Sequence, residues 1–473
     1  MCRIVDLMRF LNDRVLGNAV PIVLFFSGML YMIYLKAFPF RHPLTVCGAM
    51  LKGHIASEKG KTSPFRAVTL ALGGTLGVGN LIGVSNAILL GGHGAVFWMV
   101  VSAVVAMLLK YAETVLALRY RRTETDGTRR GGAMYYIKAC FSGIGLGRVG
   151  TVLAGGFAVL CIADSFTMGS IIQMHAVGSA FHGIFSWSPT VLGIVLALIT
   201  LGVIFGGGRR ISALTERLVP FMTVVYLILS CSVLIIRRDA LPSVLGAVWK
   251  DAFSFKSAVS GAGGFLITRA MRYGTLRGLM SNEAGCGTSP IAHAESDTDS
   301  PVTQGFWGIF EVFADTVLLC TLTAAVVLVS YDGISQEAGD SMMITVKAYS
   351  TVLGDWCEPI LAVLVLFFAF ATVICRAHYG QSALYYLTKR RAVRNLYLIL
   401  FSCSVFLGTV SAPDAVWVLA DFSLSLMTLL NLIVLWMMRR EVKEETFCFL
   451  QKERNRIPKR RSLIKFTKNS RSL

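Results

Sequence analysis

One polar stretch inside an apolar part of the chain carries an unusual concentration of groups that can bind a solute or an ion. Residues 278–294 read GLMSNEAGCGTSPIAHA, and the polar run within it begins with Ser281, Asn282, Glu283 and, two residues on, Gly285. A carboxylate at membrane depth is expensive and is a candidate functional group by default. A loop between two spans is the simpler interpretation of the same stretch.

A second interrupted stretch lies near the other end of the chain. Residues 72–94 read LGGTLGVGNLIGVSNAILLGGHG, with Thr75, Gly77, Gly79 and Asn80 in its centre. Closely spaced glycines are typical of helices whose backbones pack together. The polar Thr75 and Asn80 favour the alternative, an unwound segment whose free backbone groups and side chains hold a ligand.

The elements that position these two stretches are membrane-spanning helices. The chain has 473 residues, of which 55% are hydrophobic and 15% charged, and its mean hydropathy is +0.64. A soluble domain carries about 25% charged residues. Apolar runs of roughly 20 residues recur, and such runs cross a bilayer as helices because lipid offers their backbone no hydrogen bonds.

The order of the apolar runs predicts an all-α membrane protein of about eleven spans. The two interrupted stretches lie in spans two and seven. Each is the first span of a set of five, and one extra N-terminal helix precedes both sets. Because five is odd, the sets enter the membrane from opposite sides, which is the arrangement of an inverted repeat. The predicted divisions are residues 1–64 (first helix and loop), 65–256 and 257–438 (the two five-helix repeats), and 439–473 (a basic tail).

The distribution of charge predicts orientation in a cell (inner) membrane. The net charge of +18 lies largely in short loops and in the tail, where the positive-inside rule places Lys and Arg. The C-terminus is therefore expected in the cytoplasm and the N-terminus outside, with no nucleic-acid partner. We expect the tail to be disordered and solvated, with binding to anionic lipid as the alternative.

Motifs for catalysis and for nucleotide binding are missing from the sequence. The Gly-Lys-Thr at 60–62 lacks the glycine spacing of a phosphate-binding loop, and the eleven cysteines show no metal spacing. We therefore expect neither an enzyme nor a bound cofactor, and transport driven by an ion gradient or by none.

Several long segments together are similar to one family. They are TLGVGNLIGVSNAI, FWMVVSAVVAMLLKYAETVLALRYR, GGAMYYI, TERLVPFM, GLMSNEAGCGTSPIAHA and EVFADTVLLCTLTA, in this order between about Phe65 and Gln381. The chain resembles the alanine/glycine:cation symporter family. That resemblance implies the leucine-transporter fold, with two discontinuous helices, and import of alanine, D-alanine or glycine with sodium or a proton by alternating access.

The resemblance also implies roles for individual residues. The first broken helix, with Thr75, Gly77, Gly79 and Asn80, would meet the substrate carboxylate. Gln173, in GSIIQ, would help to hold the substrate. The second broken helix would contribute Ser281, Asn282, Glu283 and Gly285. Asn80 and Thr372 are the candidates for coordinating sodium.

One departure from the family's pattern falls in span nine, where this chain reads FAFATVICRAHYGQ. Arg376 stands where the family has Trp, and His378 stands where it has Tyr. Arg376 lies one helical turn from Thr372 and can face the same cavity. An intramembrane Arg must pair or reach water, so we expect an ion pair with an acid such as Glu283 or Asp315, an altered substrate selectivity or a loss of transport.

Three functions remain open from the sequence. The first is a sodium-coupled carrier of a small neutral amino acid. The second is a proton-coupled carrier of another amino acid, with a pocket altered at Arg376. The third is a non-transporting amino-acid sensor or a channel-like protein, and the sequence leaves the oligomeric state undetermined.

Overall fold

The computed structural model describes residues 2–55, 62–125, 127–253, 269–330 and 341–456, and nearly all of them are helical. The helices of the first part of the chain are α1 (Cys2–Leu11), α2 (Gly17–Tyr34), α3 (Phe38–Arg41), α4 (Pro43–Ile55), α5 (Pro64–Thr75), α6 (Val84–Gly91), α7 (Ala95–Arg119), α8 (Ala133–Gly143), α9 (Gly147–Phe166), α10 (Ile172–Phe185), α11 (Pro189–Ile204), α12 (Gly207–Ile236) and α13 (Leu241–Ala252). The later helices are α14 (Arg269–Asn282), α15 (Pro290–His293), α16 (Pro301–Val312), α17 (Thr321–Val329), α18 (Ser341–Leu353), α19 (Cys357–Leu387), α20 (Arg391–Val410), α21 (Asp414–Met437) and α22 (Arg439–Arg456).

A short antiparallel hairpin joins α7 to α8. Its strands are β1 (Arg122–Thr123) and β2 (Arg129–Arg130), with Arg122 opposite Arg130.

The described part of the chain is that of an all-α membrane protein. It contains seven helices long and apolar enough to cross a membrane, or up to nine if each of two bent pairs counts as one span. Two shorter apolar segments, Pro189–Ile204 and Met342–Leu353, add to these. The number eleven stays a prediction, because part of the predicted seventh span lies outside the described residues.

The two predicted interruptions are present as broken helices. The first broken helix runs through α5, breaks after Thr75 and continues through a π-helical turn, Gly79–Gly83, into α6. The two parts are bent by 58° relative to each other. The second broken helix consists of α14, which ends at Asn282, and α15, which begins at Pro290.

Local sequence explains where the helices at the site begin. Ser63 caps α5 by accepting a hydrogen bond from the Arg66 amide, and Pro64 follows in the first turn. Ser300 and Pro301 start α16 in the same way. Ser before Pro is a strong start signal, because the hydroxyl satisfies one free amide and Pro has none to satisfy.

Two further helices that pack near the breaks contain π-helical segments. Thr167–Ile171 separates α9 from α10, and Phe313–Cys320 separates α16 from α17. Such segments are common beside functional sites because the wider turn redirects side chains. Here they lie next to Gln173 and contain Asp315.

The tail differs from its prediction. Residues Arg439–Arg456 form α22 rather than a disordered segment, while 457–473 lie outside the described residues. Arg119 at the end of α7 forms ion pairs with Glu441 and Glu445, and Tyr111 shares a hydrogen bond with Thr446. Glu441 and Glu445 are four residues apart and share one helix face, so the prediction of disorder is wrong for this helix.

The division of the chain at 64, 256 and 438 stays a prediction, as does the inverted relation of the two halves.

Candidate functional site

The first helix break is contacted by uncharged side chains from two neighbouring helices. Beyond Thr75 the backbone turns away, and the Val78 amide donates a hydrogen bond of 3.0 Å to Oε1 of Gln173 on α10. On the other side, the Thr372 hydroxyl on α19 donates to the Leu76 carbonyl at 3.4 Å. The structure thus brings Gln173 and Thr372 to the break at which the sequence places ligand binding.

Gly77 is required by this close approach. A Cβ atom on Gly77 would lie 2.7 Å from Gln173 Oε1 and 3.0 Å from Thr372 Oγ1. Both distances are shorter than a normal van der Waals contact, so a larger residue would push the two side chains apart. The glycine therefore permits the contact between the break and its neighbours.

A buried polar cluster surrounds Asn80 on the α6 side of the break. The Asn80 amide donates to Asp315 Oδ1 at 2.7 Å, and the Ser281 hydroxyl donates to Asn80 Oδ1 at 3.2 Å. Asp315 Oδ2 also accepts from Thr316, whose hydroxyl oxygen accepts from Asn282 Nδ2 at 3.2 Å. Three predicted site residues, Asn80, Ser281 and Asn282, therefore meet around one carboxylate.

The second break has a strained backbone. Glu283 has φ of +50°, and Gly285 and Gly287 have φ of +87° and +79°. A left-handed conformation is easy for glycine but costs a residue with a Cβ roughly 1–2 kcal/mol. Asn282 supports this turn, because its Oδ1 accepts a hydrogen bond from the Ala284 amide at 3.0 Å.

Charged side chains hold the second break from the α7 side. Lys110 Nζ donates to Ser289 Oγ at 2.6 Å and to the Glu283 carbonyl at 3.3 Å, and it lies 3.5 Å from Glu311 Oε1. Glu113 Oε1 accepts from the Gly287 amide at 2.8 Å. Both α7 side chains are fully buried, so free backbone groups of the break are bound by charges rather than by water.

The same network continues to two other helices. Asn431 on α21 donates to Glu113 and, at 2.9 Å, to the Gly285 carbonyl. Glu311 on α16 pairs with His293 Nε2 at 2.8 Å, and Gln304 donates to His293 Nδ1 at 2.9 Å. Sequence reasoning did not assign this group, although buried ionisable residues in spans are its usual signal.

Arg376 is enclosed by acceptors and is only 2% exposed. Its Nη1 donates to Asp164 Oδ2 at 2.7 Å, its Nη2 pairs with Glu283 Oε1, and its Nε donates to the Gly74 carbonyl at 3.3 Å. The expectation of an ion pair is met by Glu283, whereas Asp315 binds Asn80 instead. Asp164 is a partner that sequence reasoning did not assign.

The two predicted sodium ligands have separate partners. Asn80 belongs to the cluster around Asp315, and Thr372 donates to the carbonyls of Leu76 and Phe368. Within the described ranges no hydrogen bond joins the two side chains.

His378, the other departure in span nine, lies away from the breaks. Its Nε2 is 2.6 Å from Glu295 Oε1, just beyond α15. Both residues line a cavity of about 750 Å³ that also reaches Arg66, Arg129 and Arg394. None of the predicted site residues lines this cavity.

Comparison with known sequences gives one family over almost the whole chain. The profile of the Sodium:alanine symporter family matches residues 1–462. The sodium/alanine symporter AgcS of Methanococcus maripaludis is 32% identical over 456 residues, which are 95% of this chain and 98% of that protein. The probable sodium/glutamine symporter GlnT of Bacillus subtilis is 31% identical over 431 residues, 91% of this chain and 87% of that protein.

A likeness among solved structures extends to the fold alone. A mutant of the Eremococcus coleocola manganese transporter superposes with a TM-score of 0.50 over 80% of this chain and 78% of that one, at 14% identity. The helical membrane architecture is therefore shared with a solved transporter. The sequence matches identify the family as well: the chain belongs to the sodium:alanine symporter family.

Proposed function

We propose that this protein imports a small neutral amino acid, alanine, D-alanine or glycine, together with sodium by alternating access. The observation that carries the proposal is the uncharged first break, where the Val78 amide meets Gln173 and the Leu76 carbonyl meets Thr372. Broken helices offer free amides to a carboxylate and free carbonyls to a cation. A zwitterion needs both kinds of partner.

The tight packing around the first break supports a small substrate. A Cβ on Gly74 would lie 2.7 Å from the Tyr379 hydroxyl oxygen, and one on Gly169 would lie 2.5 Å from Cβ of Arg376. With Gly77, this makes three backbone positions at which neighbouring side chains leave no space for a methyl group. A substrate side chain of one carbon or none suits such surroundings.

Arg376 is a poor partner for an acidic substrate side chain. Its guanidinium donates to Asp164, Glu283 and the Gly74 carbonyl. A substrate carboxylate would have to displace one of two buried carboxylates, which repel it. We therefore assign Arg376 to shaping the site.

The amides of Gly77 and Asn80 already donate to the carbonyls of Thr75 and Gly77. Because these amides are bonded, we propose that the substrate carboxylate replaces Gln173 Oε1 as the acceptor of the Val78 amide.

Two groups of oxygen atoms are candidates for the sodium ion. One comprises Asn80 Oδ1, the Asp315 carboxylate and Thr316 Oγ1, and the other comprises Thr372 Oγ1 with the Leu76 carbonyl. We place the coupling ion at the first group, because a carboxylate there supplies the charge that the second group lacks. Thr372 then acts on the ion through the position of the Leu76 carbonyl.

The names of two relatives agree with this function. The relative from Methanococcus maripaludis is named as a sodium/alanine symporter, and the amino-acid carrier protein AlsT of Bacillus subtilis is 34% identical over 373 residues, 79% of this chain and 77% of that protein.

Proton coupling is the second candidate, and the charges at the second break favour it. Among the described residues, four carboxylates lie there, on Asp164, Glu283, Glu113 and Glu311, and they are contacted by one arginine, one lysine and one histidine, Arg376, Lys110 and His293. A buried carboxylate without a counter-charge takes up a proton or a cation. One proton carried at this network would couple transport to a proton gradient.

Uptake into proteoliposomes tests both candidates. Radiolabelled L-alanine, D-alanine and glycine are offered with an inward sodium gradient, with an inward proton gradient and with neither. Accumulation above equilibrium that needs sodium, and is reduced in Asp315→Asn, supports the first proposal. Accumulation that needs only the proton gradient supports the second, and no accumulation of any of the three overturns the proposed substrate.

A further inference from the structure

The cavity beside His378 is lined by more positive than negative side chains. Two acids, Glu295 and Asp297, face five arginines, which are Arg66, Arg129, Arg130, Arg209 and Arg394. Two of the arginines have acidic partners, since Arg66 pairs with Glu216 at 2.8 Å and Arg129 lies 3.6 Å from Asp299. The positive charge available to a ligand therefore comes from the other three.

Arg209 and Arg394 are the clearest source of that charge. Neither guanidinium forms an ion pair or donates a hydrogen bond within the described part of the chain. They belong to the first turns of two different helices, α12 and α20, and both line the cavity. Like charges that share a cavity repel each other, so an anion bound between them would be stabilising.

Two buried polar atoms at the cavity also lack a partner among the described residues. Nδ1 of His378 makes no hydrogen bond, although the side chain is only 5% exposed and its Nε2 is bonded. Nε of Arg130 is likewise buried without an acceptor, beside the ring of Tyr385 at 3.8 Å from the guanidinium carbon to the centroid. Glu124, whose charge acts on Arg130, is bonded to Lys389 instead. A buried polar atom without a partner is unfavourable, so both atoms indicate a ligand.

The first turn of α12 adds uncharged donors to the same cavity. Residues 206–209 line it, and α12 begins at Gly207 without a side-chain cap. The amides of Gly208 and Arg209 donate to no described acceptor, and a Cβ on Gly207 would meet no atom within 4 Å. Open space therefore lies beside free amides at the start of a long helix, where the helix dipole favours an anion.

These donors fit a phosphate group better than a carboxylate. Phosphate carries up to two negative charges and several strong acceptor oxygens, so it can bind separate donors at once. Arg side chains and helix N-termini are the groups that usually bind it in proteins. The cavity volume of about 750 Å³ is also in the range of small-molecule sites.

We propose that this cavity binds a phosphate-bearing anion between Arg209, Arg394 and the first turn of α12. The phosphate group is common to two sources, free inorganic phosphate and the headgroup of an anionic lipid. None of the predicted site residues lines the cavity, so the proposal does not depend on which amino acid is transported.

Thermal unfolding of the purified full-length protein in detergent tests the site with inorganic phosphate. Phosphate and chloride are compared at equal sodium concentration and ionic strength, because a ligand of the folded state raises the unfolding temperature in a concentration-dependent way. In Arg209→Gln with Arg394→Gln, the phosphate concentration for half-maximal stabilisation should rise by about tenfold, since two charge contacts are lost. Stabilisation of the wild type by chloride to the same extent would show an effect of ionic strength and overturn the site.

Arg210 and Arg391 provide a matched pair of controls. Both are exposed residues of the same two helix starts, and neither lines the cavity. Arg210→Gln with Arg391→Gln removes the same net charge, so this double variant should respond to phosphate as the wild type does. An equal loss of response in the control would show a general effect of surface charge and overturn the site, as would a wild-type response in Arg209→Gln with Arg394→Gln.

A single variant covers the case in which the double variant does not fold. Arg394→Gln should raise the phosphate concentration for half-maximal stabilisation by about threefold, as expected for one partly exposed charge contact. Arg391→Gln, three residues earlier on α20, should leave it unchanged. Equal values in the two single variants would contradict the proposal.

A second arm in lipid nanodiscs distinguishes the two sources of phosphate. Nanodiscs of phosphatidylcholine with and without phosphatidylglycerol are compared at constant salt and without added phosphate. Stabilisation by phosphatidylglycerol that is lost in Arg209→Gln with Arg394→Gln supports the site and assigns it to a lipid headgroup. Stabilisation by free phosphate alone supports a soluble ligand, and stabilisation by neither overturns the proposal.

Discussion

The two broken helices meet at one place in the fold but are held by opposite kinds of chemistry. At the first break, the unwound residues 76–78 are bonded to neighbouring helices by an amide and a hydroxyl, Gln173 and Thr372. Charged side chains contact the flanks of this break, Arg376 at Gly74 and Asp315 at Asn80. At the second, the bonds to neighbouring helices come from fully buried charges, among them Lys110 and Glu113. Single neutral hydrogen bonds contribute about 1 kcal/mol each, whereas breaking a buried ion pair costs several.

Because of this difference, the first break can exchange its hydrogen-bond partners for a ligand, whereas the second break cannot. A ligand can replace a neutral hydrogen bond at the first break with little change in free energy. Replacing a buried charge at the second break would leave its partner uncompensated. We therefore expect substitutions at the first break to act mainly on binding, and those at the second mainly on stability.

The largest effect is expected from Arg376→Gln at the second break. Asp164 and Glu283 would then lie buried without their shared counter-charge, which should lower the free energy of unfolding by roughly 3–5 kcal/mol. Chemical unfolding in detergent measures this change. The double variant Arg376→Gln with Asp164→Asn should recover part of the loss, and no recovery would show that the pair does not act as a unit.

Gly77→Ala should have the next largest effect, on binding rather than on stability. The added methyl group meets Gln173 Oε1 and Thr372 Oγ1, and overpacking of this kind costs about 1–3 kcal/mol. Alanine affinity should fall by about tenfold or more at unchanged expression. Gly156→Ala on α9, where a Cβ meets no atom within 4 Å, is the control, and an equal loss there would refute a local effect.

Gln173→Ala should have a moderate effect. It removes the acceptor of the Val78 amide, which corresponds to about 1 kcal/mol and a fivefold loss of alanine affinity. Equilibrium binding measures the affinity and thermal unfolding the stability. A large drop in stability with normal affinity would place Gln173 in the scaffold and contradict the comparison of the two breaks.

Thr372→Val should have the smallest effect, confined to the ion. The hydroxyl that bonds the Leu76 carbonyl is replaced by a methyl group of similar size. The sodium concentration for half-maximal uptake should rise about twofold, against at least tenfold in Asp315→Asn, since a charge-assisted contact is the stronger one. The reverse order would move the sodium ion to Thr372.

The positions of both breaks could be predicted from sequence because each has a local cause. Glycines with Thr75 and Asn80, and the polar run from Ser281, mark the interruption within their own segments. The ion pair of Arg376 with Asp164 has no such local cause. Asp164 precedes it by 212 residues, and only the packing of α9 against α19 brings the two together, so a single sequence does not identify the pair.

The helical tail and the position of Arg277 on α14 were missed for related reasons. Low hydropathy in 439–456 is typical of a solvated segment, but Arg119 and Tyr111 on α7 bind its face. Arg277 precedes the polar run and resembles an ordinary interfacial charge until Gly79 and Gly83 are seen beside it. In both cases a helix distant in sequence supplies the surroundings of the residue.

The interlocked charges at Arg376 also constrain how the protein can diverge. A lineage that loses Arg376 first passes through a variant in which Asp164 is a buried carboxylate without its cation. A lineage that loses Asp164 first leaves the Arg376 guanidinium with one carboxylate instead of two. Such intermediates are selected against, so the two residues should be gained and lost as a pair along a genealogy. Among descendants of a common ancestor, chains with Trp at position 376 should therefore carry an uncharged residue at position 164.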